Sequence, residues 1–146
     1  MEITRTSGRA LIQDRDAFLV IRYSHPSRDW YTLPGGGQRN SEPITDTVER
    51  EVLEETGAHV SVDALRFVRE CISGPHAPGV PEGYHQVDLV FDCTLKTPPG
   101  GGASTDPNQC AVEWKTAAEL RQLPFYPQAL LDAIEQRLPF GYLGVI

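Results

Sequence analysis

This chain of 146 residues has few cysteines, no excess of basic charge and no long apolar run. Its three cysteines, Cys71, Cys93 and Cys110, are far apart, odd in number and include no C-x-x-C pair. That speaks against a zinc ribbon or a redox motif and for a reduced, cytoplasmic compartment. Thirteen basic residues stand against twenty acidic ones, a formal charge of −7. Such a balance argues against binding nucleic acid through phosphate contacts. It leaves open a site where a metal ion meets a phosphate. No stretch approaches the ~20 apolar residues that span a bilayer, and "MEITRTSGRA" lacks the apolar core of a signal peptide. No repeat and no linker divides the chain, so one domain over residues 1–146 is expected.

What is present reads as alternating strands and helices. "GRALIQ" and "AFLVIRY" are predicted strands joined by the turn "DRD". "DWYTL" is a short strand ending at Pro34. A helix is predicted from about Pro43 to Thr56, then one or two extended runs in "HVSVDALRFVRECI" and a strand in "YHQVDLVFDCTL". "CAVEWK" is a further strand, followed by a helical turn at "TAAEL". "PQALLDAIEQRL" has Leu130, Ile134 and Leu138 at helical spacing. Two Gly- and Pro-rich loops, 73–83 and 96–109, read equally as lids or as hairpin tips. The apolar end "LPFGYLGVI" is open to docking on its own sheet or against a second subunit of a homodimer.

The predicted helix at 43–56 breaks ordinary electrostatic rules. Ile44, Val48 and Val52 form its apolar stripe, and Glu51 and Glu55 fall on the same side, with Glu54 nearby. Leu53 points the other way, which predicts cover on both sides. Like charges at i, i+4 repel, a helix C-terminus disfavours acids, and Gly57 fits the C-cap that places these acids in the last turn. Arg50 can pair with Glu54, but one arginine does not neutralise three carboxylates. A divalent cation would, and carboxylate oxygens suit a hard ion such as Mg²⁺. The alternative is a solvated acidic face. Ahead of the helix lie Gly35, Gly36 and Gly37, a turn that lets backbone approach a ligand. Asn40 or Ser41 is the expected helix cap, with Pro43 in the first turn.

From Gly36 to Ala58 the chain runs Gly, five residues, Glu42, seven residues, Arg50-Glu51-Val52, one residue, Glu54-Glu55, one residue, Gly57-Ala58. This resembles the Nudix box, and the flanks "WYTLPGGG" and "VEWKTAAEL" are similar to the family as well. The resemblance implies an α/β fold, an α/β/α sandwich around a mixed sheet. It implies metal-dependent hydrolysis of a diphosphate bond in a nucleoside diphosphate linked to another group. Glu51, Glu54 and Glu55, with the carbonyl of Gly36, would hold Mg²⁺ or Mn²⁺. Arg50 would orient the glutamates, and Glu42 would support it. Glu54 and Glu51 are the leading candidates for the general base. Family members that use a later acid carry it near Asn108 of this chain, where Asp106 and Glu113 are the acids available.

Arg28 and Arg39 flank the glycine turn and are candidates to grip phosphate. Trp30, Tyr31 and Phe91 are candidates to stack on a base, with core packing as the alternative, while His76 and His85 are expected at the surface. Pro75, seventeen residues after Ala58, lies close to where ADP-ribose hydrolases of the family carry a proline. A small-molecule substrate of the ADP-ribose or nucleotide-sugar type is therefore favoured. A nucleoside triphosphate pyrophosphohydrolase and a non-catalytic nucleotide sensor are the alternatives.

Overall fold

The computed structural model describes residues 3–75, 77, 80–100 and 106–145. Its elements are β1 (Arg5–Asp14), β2 (Ala17–His25), β3 (Arg28–Thr32), β4 (Gly35–Gly37), α1 (Ile44–Thr56), β5 (Val60–Ile72), β6 (His85–Leu95), β7 (Gln109–Thr116), α2 (Ala117–Arg121), α3 (Gln128–Glu135) and β8 (Gly141–Val145). The eight strands form a mixed sheet, in which β3-β2-β1-β6-β5-β8 are neighbours, β4 pairs with β1, and β7 pairs with β2. The β1–β6 and β5–β8 pairs are parallel. β1 and β2 touch only near their shared turn, through Gln13 opposite Phe18 and Asp14 opposite Ala17. Beyond it they diverge, and β4 takes the place beside the first half of β1.

Strand alternation builds the layers. On one face Ala10, Ile12, Leu19 and Phe91 pack with Val48 and Val52 of α1. On the other, Leu11, Phe18, Val20 and Val90 pack with Leu120, Leu130 and Leu131 of α2 and α3. The arrangement is an α/β/α sandwich. Val48 and Val52 are 0% exposed, and burial of each contributes about 1.5–3 kcal/mol. Repulsion between acids one turn apart costs only about 0.2–0.5 kcal/mol per pair. Packing therefore pins α1 to the sheet with its acidic side held at the edge.

The structure decides the readings left open, bears out the Gly57 cap, and overturns the expected helix cap and the cover over Leu53. Residues 60–72 form one strand, with its pairing to β6 interrupted at Val62–Leu65 and Leu65–Phe67. The C-terminal segment docks on its own sheet as β8, parallel to β5. Leu53 is 40% exposed, so α1 is covered on one side. Neither Asn40 nor Ser41 caps α1, whose N-cap is Pro43 with no side-chain bond. Ser41 instead takes a positive φ of 62° in the approach to the helix. Gly57 is the left-handed C-cap, φ 76°, with its N–H donated to Leu53 O. Among the described residues no helix is long and apolar enough to cross a membrane.

Candidate functional site

The site begins at a bare sheet edge. β4 consists of Gly35, Gly36 and Gly37, paired antiparallel with Arg9, Gly8 and Ser7. A Cβ on Gly35, φ 149°, would stand 2.1 Å from Gly8 O. A Cβ on Gly36 would stand 2.6–2.8 Å from the Glu51 carboxyl group. Glycine lets β4 lie against β1 on one side and receive α1's acids on the other.

Arg50 organises those acids. Its Nε and Nη2 donate to the two oxygens of Glu42 at 2.8 and 3.0 Å. Nη1 donates to Glu51 at 2.8 Å and Glu54 at 3.5 Å, and Nη2 also reaches Gly37 O at 3.1 Å. The expected i+4 pair with Glu54 is thus the longest of its carboxylate contacts. The guanidinium fork matches Glu42 in a way a lysine would not. Hydrogen bonds from Arg50 and from Thr47 Oγ1 push the Glu42 pKa down to about 2.

Glu55 is the buried acid, 7% exposed. Its Oε1 accepts from Gly35 N at 2.7 Å and its Oε2 from Tyr23 Oη at 2.8 Å. Tyr23 is in turn stacked on Trp30, centroids 5.3 Å apart. Burial raises the Glu55 pKa to about 7, against the opposing pull of the Gly35 N–H, Arg9 and Tyr23. Without a further cation this carboxyl holds its proton to neutral pH.

Glu51, Glu54 and Glu55 line one cleft of about 280 Å³ with the three glycines. Across the cleft stand Arg5 and Arg9, which the sequence did not single out. Two larger cavities adjoin it. One, of about 700 Å³, shares Glu55 and Asp106 with the cleft and is walled by Trp114, Val112, Leu19, Pro98 and Pro99. The other, of about 460 Å³, shares Arg5 and is polar, with Thr4, Thr6, Gln38, Arg39 and Asn40. The acidic cleft therefore lies between a mixed cavity that holds Trp114 beside Glu55, Asp106 and Gln109 and one lined mostly by polar side chains.

The sequence candidates fall into two groups. Gly36, Glu51, Glu54, Glu55 and Asp106 meet in the cleft. Glu42 and Arg50 stand behind it as an ion pair, and Arg39 lines the polar cavity with Nη2 3.9 Å from Glu54. Arg28 and Glu113 line none of these three cavities. Arg28 lies over the Tyr126 ring, and Glu113 sits on β7 beside Arg22 and Lys115. Asn108 donates its N–H to Asp106 and accepts from Ser24 N. Tyr31 and Phe91 are core residues, and Trp30 is engaged with Tyr23. His85 bonds Glu70 at 2.7 Å away from the cleft, and His76 lies outside the described residues.

The donor set suits a hard cation, being carboxylate oxygens beside exposed backbone. Among the described residues no three acidic, His or Cys side chains are gathered into a closed metal cage. The acids are spread because Glu51 turns to Arg50 while Glu55 turns to Gly35 and Tyr23.

Residues 3–135 match the model of the NUDIX domain. A MutT-like protein of Streptomyces ambofaciens is 36% identical over 127 residues, which cover 86% of this chain and 73% of that one. Nucleoside diphosphate-linked moiety X motif 6 of Xenopus laevis is 33% identical over 90 residues, 62% of this chain; the match spans only 39% of that relative's length. In structure, a NUDIX hydrolase from Nitrosomonas europaea superposes with a TM-score of 0.77 at 17% identity, covering 94% of this chain and 93% of that one.

Proposed function

The chain belongs to the Nudix family, whose enzymes act on phosphoanhydride bonds, and from that we propose that it hydrolyses the diphosphate of a nucleoside diphosphate linked to a further polar group, of the ADP-ribose or nucleotide-sugar class. The observation that carries this reading is the order of the three cavities. A base fits the largest of the three against Trp114, with Gln109 and Asp106 at its polar edge, a diphosphate the acidic cleft, and a distal sugar the polar cavity. A nucleoside triphosphate would leave the polar cavity without an organic occupant.

Glu51, Glu54 and Glu55, with the Gly36 carbonyl, are the residues that would hold Mg²⁺ or Mn²⁺. When bound, such an ion neutralises phosphate charge and makes a water acidic enough to serve as nucleophile near neutral pH. Glu54 is the most exposed of the three acids, 44% against 17% for Glu51, and its two arginine contacts, Arg50 at 3.5 Å and Arg39 at 3.9 Å, are both long. It is best placed to take the proton from the attacking water. Arg50 fixes the direction of Glu51 from behind, and Glu42 fixes Arg50. Asp106 stands at the junction of base cavity and cleft.

The test is a substrate panel with Mg²⁺ or with chelator: ADP-ribose, nucleotide sugars and nucleoside triphosphates. Metal-dependent release of a mononucleotide from the first two is expected. Placing a bulky side chain in the polar cavity, Asn40→Trp, should slow ADP-ribose turnover and spare any triphosphate turnover. Preference for triphosphates in the wild-type chain would overturn the substrate class. Saturable nucleotide binding without turnover would overturn the hydrolase reading in favour of a sensor.

A further inference from the structure

The acidic cleft has a second, cationic wall. Arg5, Ser7 and Arg9 alternate onto one face of β1. The opposite face carries Gly8, where an added Cβ would stand 2.7 Å from Val48 Cγ2 of α1. Arginines and acids thus originate on opposite faces of the sheet. They line one cleft because β4, between them, has no side chains.

Arg9 is held in place. Its Nη1 donates to Leu33 O at 3.3 Å and Gly35 O at 3.2 Å. Its Nε lies 3.8 Å from Asp88 Oδ1. Asp88, on β6 opposite Ser7, is buried. It accepts from the Ser7 hydroxyl, from Gln86 Nε2 at 2.8 Å and from Arg69 Nε at 2.6 Å. Burial works to raise its pKa, and Arg9 with Arg69 outweigh that, leaving it below the usual carboxylate range. One aspartate serves two arginines, and the Arg5 guanidinium has no ion pair or hydrogen bond among the described residues. In a chain of formal charge −7, this wall has more cations than anions. Arg9 is partly buried, where a cation without a full complement of anions is costly unless an anion completes it, and Arg5 is exposed at the mouth of the cleft.

We propose that Arg5 and Arg9 grip the substrate's diphosphate from the side opposite the acids, and that Asp88 is the positioning residue that aims Arg9. The identity of the anion rests on the diphosphate reading above. A guanidinium takes two phosphate oxygens at once, so the two arginines and the acid-held ion would enclose the diphosphate between them.

The test is calorimetric binding of ADP in Ca²⁺, beside thermal melting of each variant. Loss of a charge-assisted bond should weaken ADP about tenfold in Arg5→Ala and in Arg9→Lys, with the Arg5→Ala melting temperature unchanged. Arg121→Ala, in the far helical layer, should bind as wild type. Asp88→Asn should weaken ADP as Arg9→Lys does, and combining the two should weaken it little further. Unchanged ADP affinity in Arg5→Ala would overturn the grip. A melting loss in Asp88→Asn with wild-type affinity in the folded protein would overturn its positioning role. Because binding is read without turnover, ADP held through Arg5 in a chain that hydrolyses nothing would support the grip while refuting the hydrolase reading.

Discussion

The carboxyl group of Glu51 occupies the space where a side chain on Gly36 would begin: an added Cβ there comes within 2.6 Å of its Cδ. Gly36→Ala must therefore push Glu51 out of the cleft or shift β4. Misplacing a reacting group by about 1 Å costs on the order of 100-fold in rate. Turnover should fall by that order, while Val48 and Val52 keep α1 docked and circular dichroism stays native. Wild-type turnover in Gly36→Ala would separate Glu51 from the chemistry.

Among the described residues Arg50 is the one cation bonded to three of the box acids, Glu42, Glu51 and Glu54. Arg50→Ala leaves them facing one another, and the expected loss is about 1–3 kcal/mol of stability together with most activity. Arg50→Lys should recover little, because a lysine does not bond both Glu42 oxygens while reaching Glu51. Urea unfolding of the three proteins checks this; full recovery by lysine would show that charge alone matters.

Glu55 gives the metal-free protein an unusual pH dependence. Unfolded, the group ionises near its ordinary 4.5; folded, burial holds the proton to about 7. Between those values the folded state binds more protons, so stability falls as pH rises, and the contribution is spent above about pH 7. The full effect is about 3 kcal/mol. Urea midpoints in chelator should decline from pH 4.5 to 7, and Glu55→Gln should flatten that slope. A wild-type midpoint that rises across this window, with Glu55→Gln unchanged, would mean that the buried carboxyl is ionised throughout.

Trp114, Pro98 and Pro99 form an apolar part of the wall of the 700 Å³ cavity. Trp114→Leu, which keeps an apolar residue on β7, should raise KM several-fold, since a base–aromatic stack is worth about 1–3 kcal/mol, and leave kcat nearly unchanged. A change confined to kcat would place the base elsewhere.

The acidic half of the site was legible because all its parts are local. The 3.6-residue period of Ile44, Val48 and Val52, the Gly57 cap and the acids between them fall within one helix, and the glycines adjoin it. The cationic half was not, because Arg5 and Arg9 join the cleft through the β1–β4 register and the bareness of β4. A trace was present: Arg5, Ser7 and Arg9 make one face of the first strand polar just before Leu11. Trp114 went unread for the same reason, since its cavity is closed by residues 98–100 and 109–112 from separate segments. β8 has no alternation to read in "GYLGV", and its pairing depends on β5, more than seventy residues earlier. The cap expectation failed because Ser41 turns left-handed and the carboxylate beside it, Glu42, is committed to Arg50 and Thr47.

The proposal depends most on an inorganic cation completing the acids of α1, and electron paramagnetic resonance of Mn²⁺ tests that most directly. Titrating the protein into manganese should quench the free-ion signal with saturable stoichiometry. Glu54→Gln should weaken that quenching, and an excess of Mg²⁺ should restore the free signal. A free-ion signal that wild-type protein leaves undiminished at millimolar manganese would contradict it.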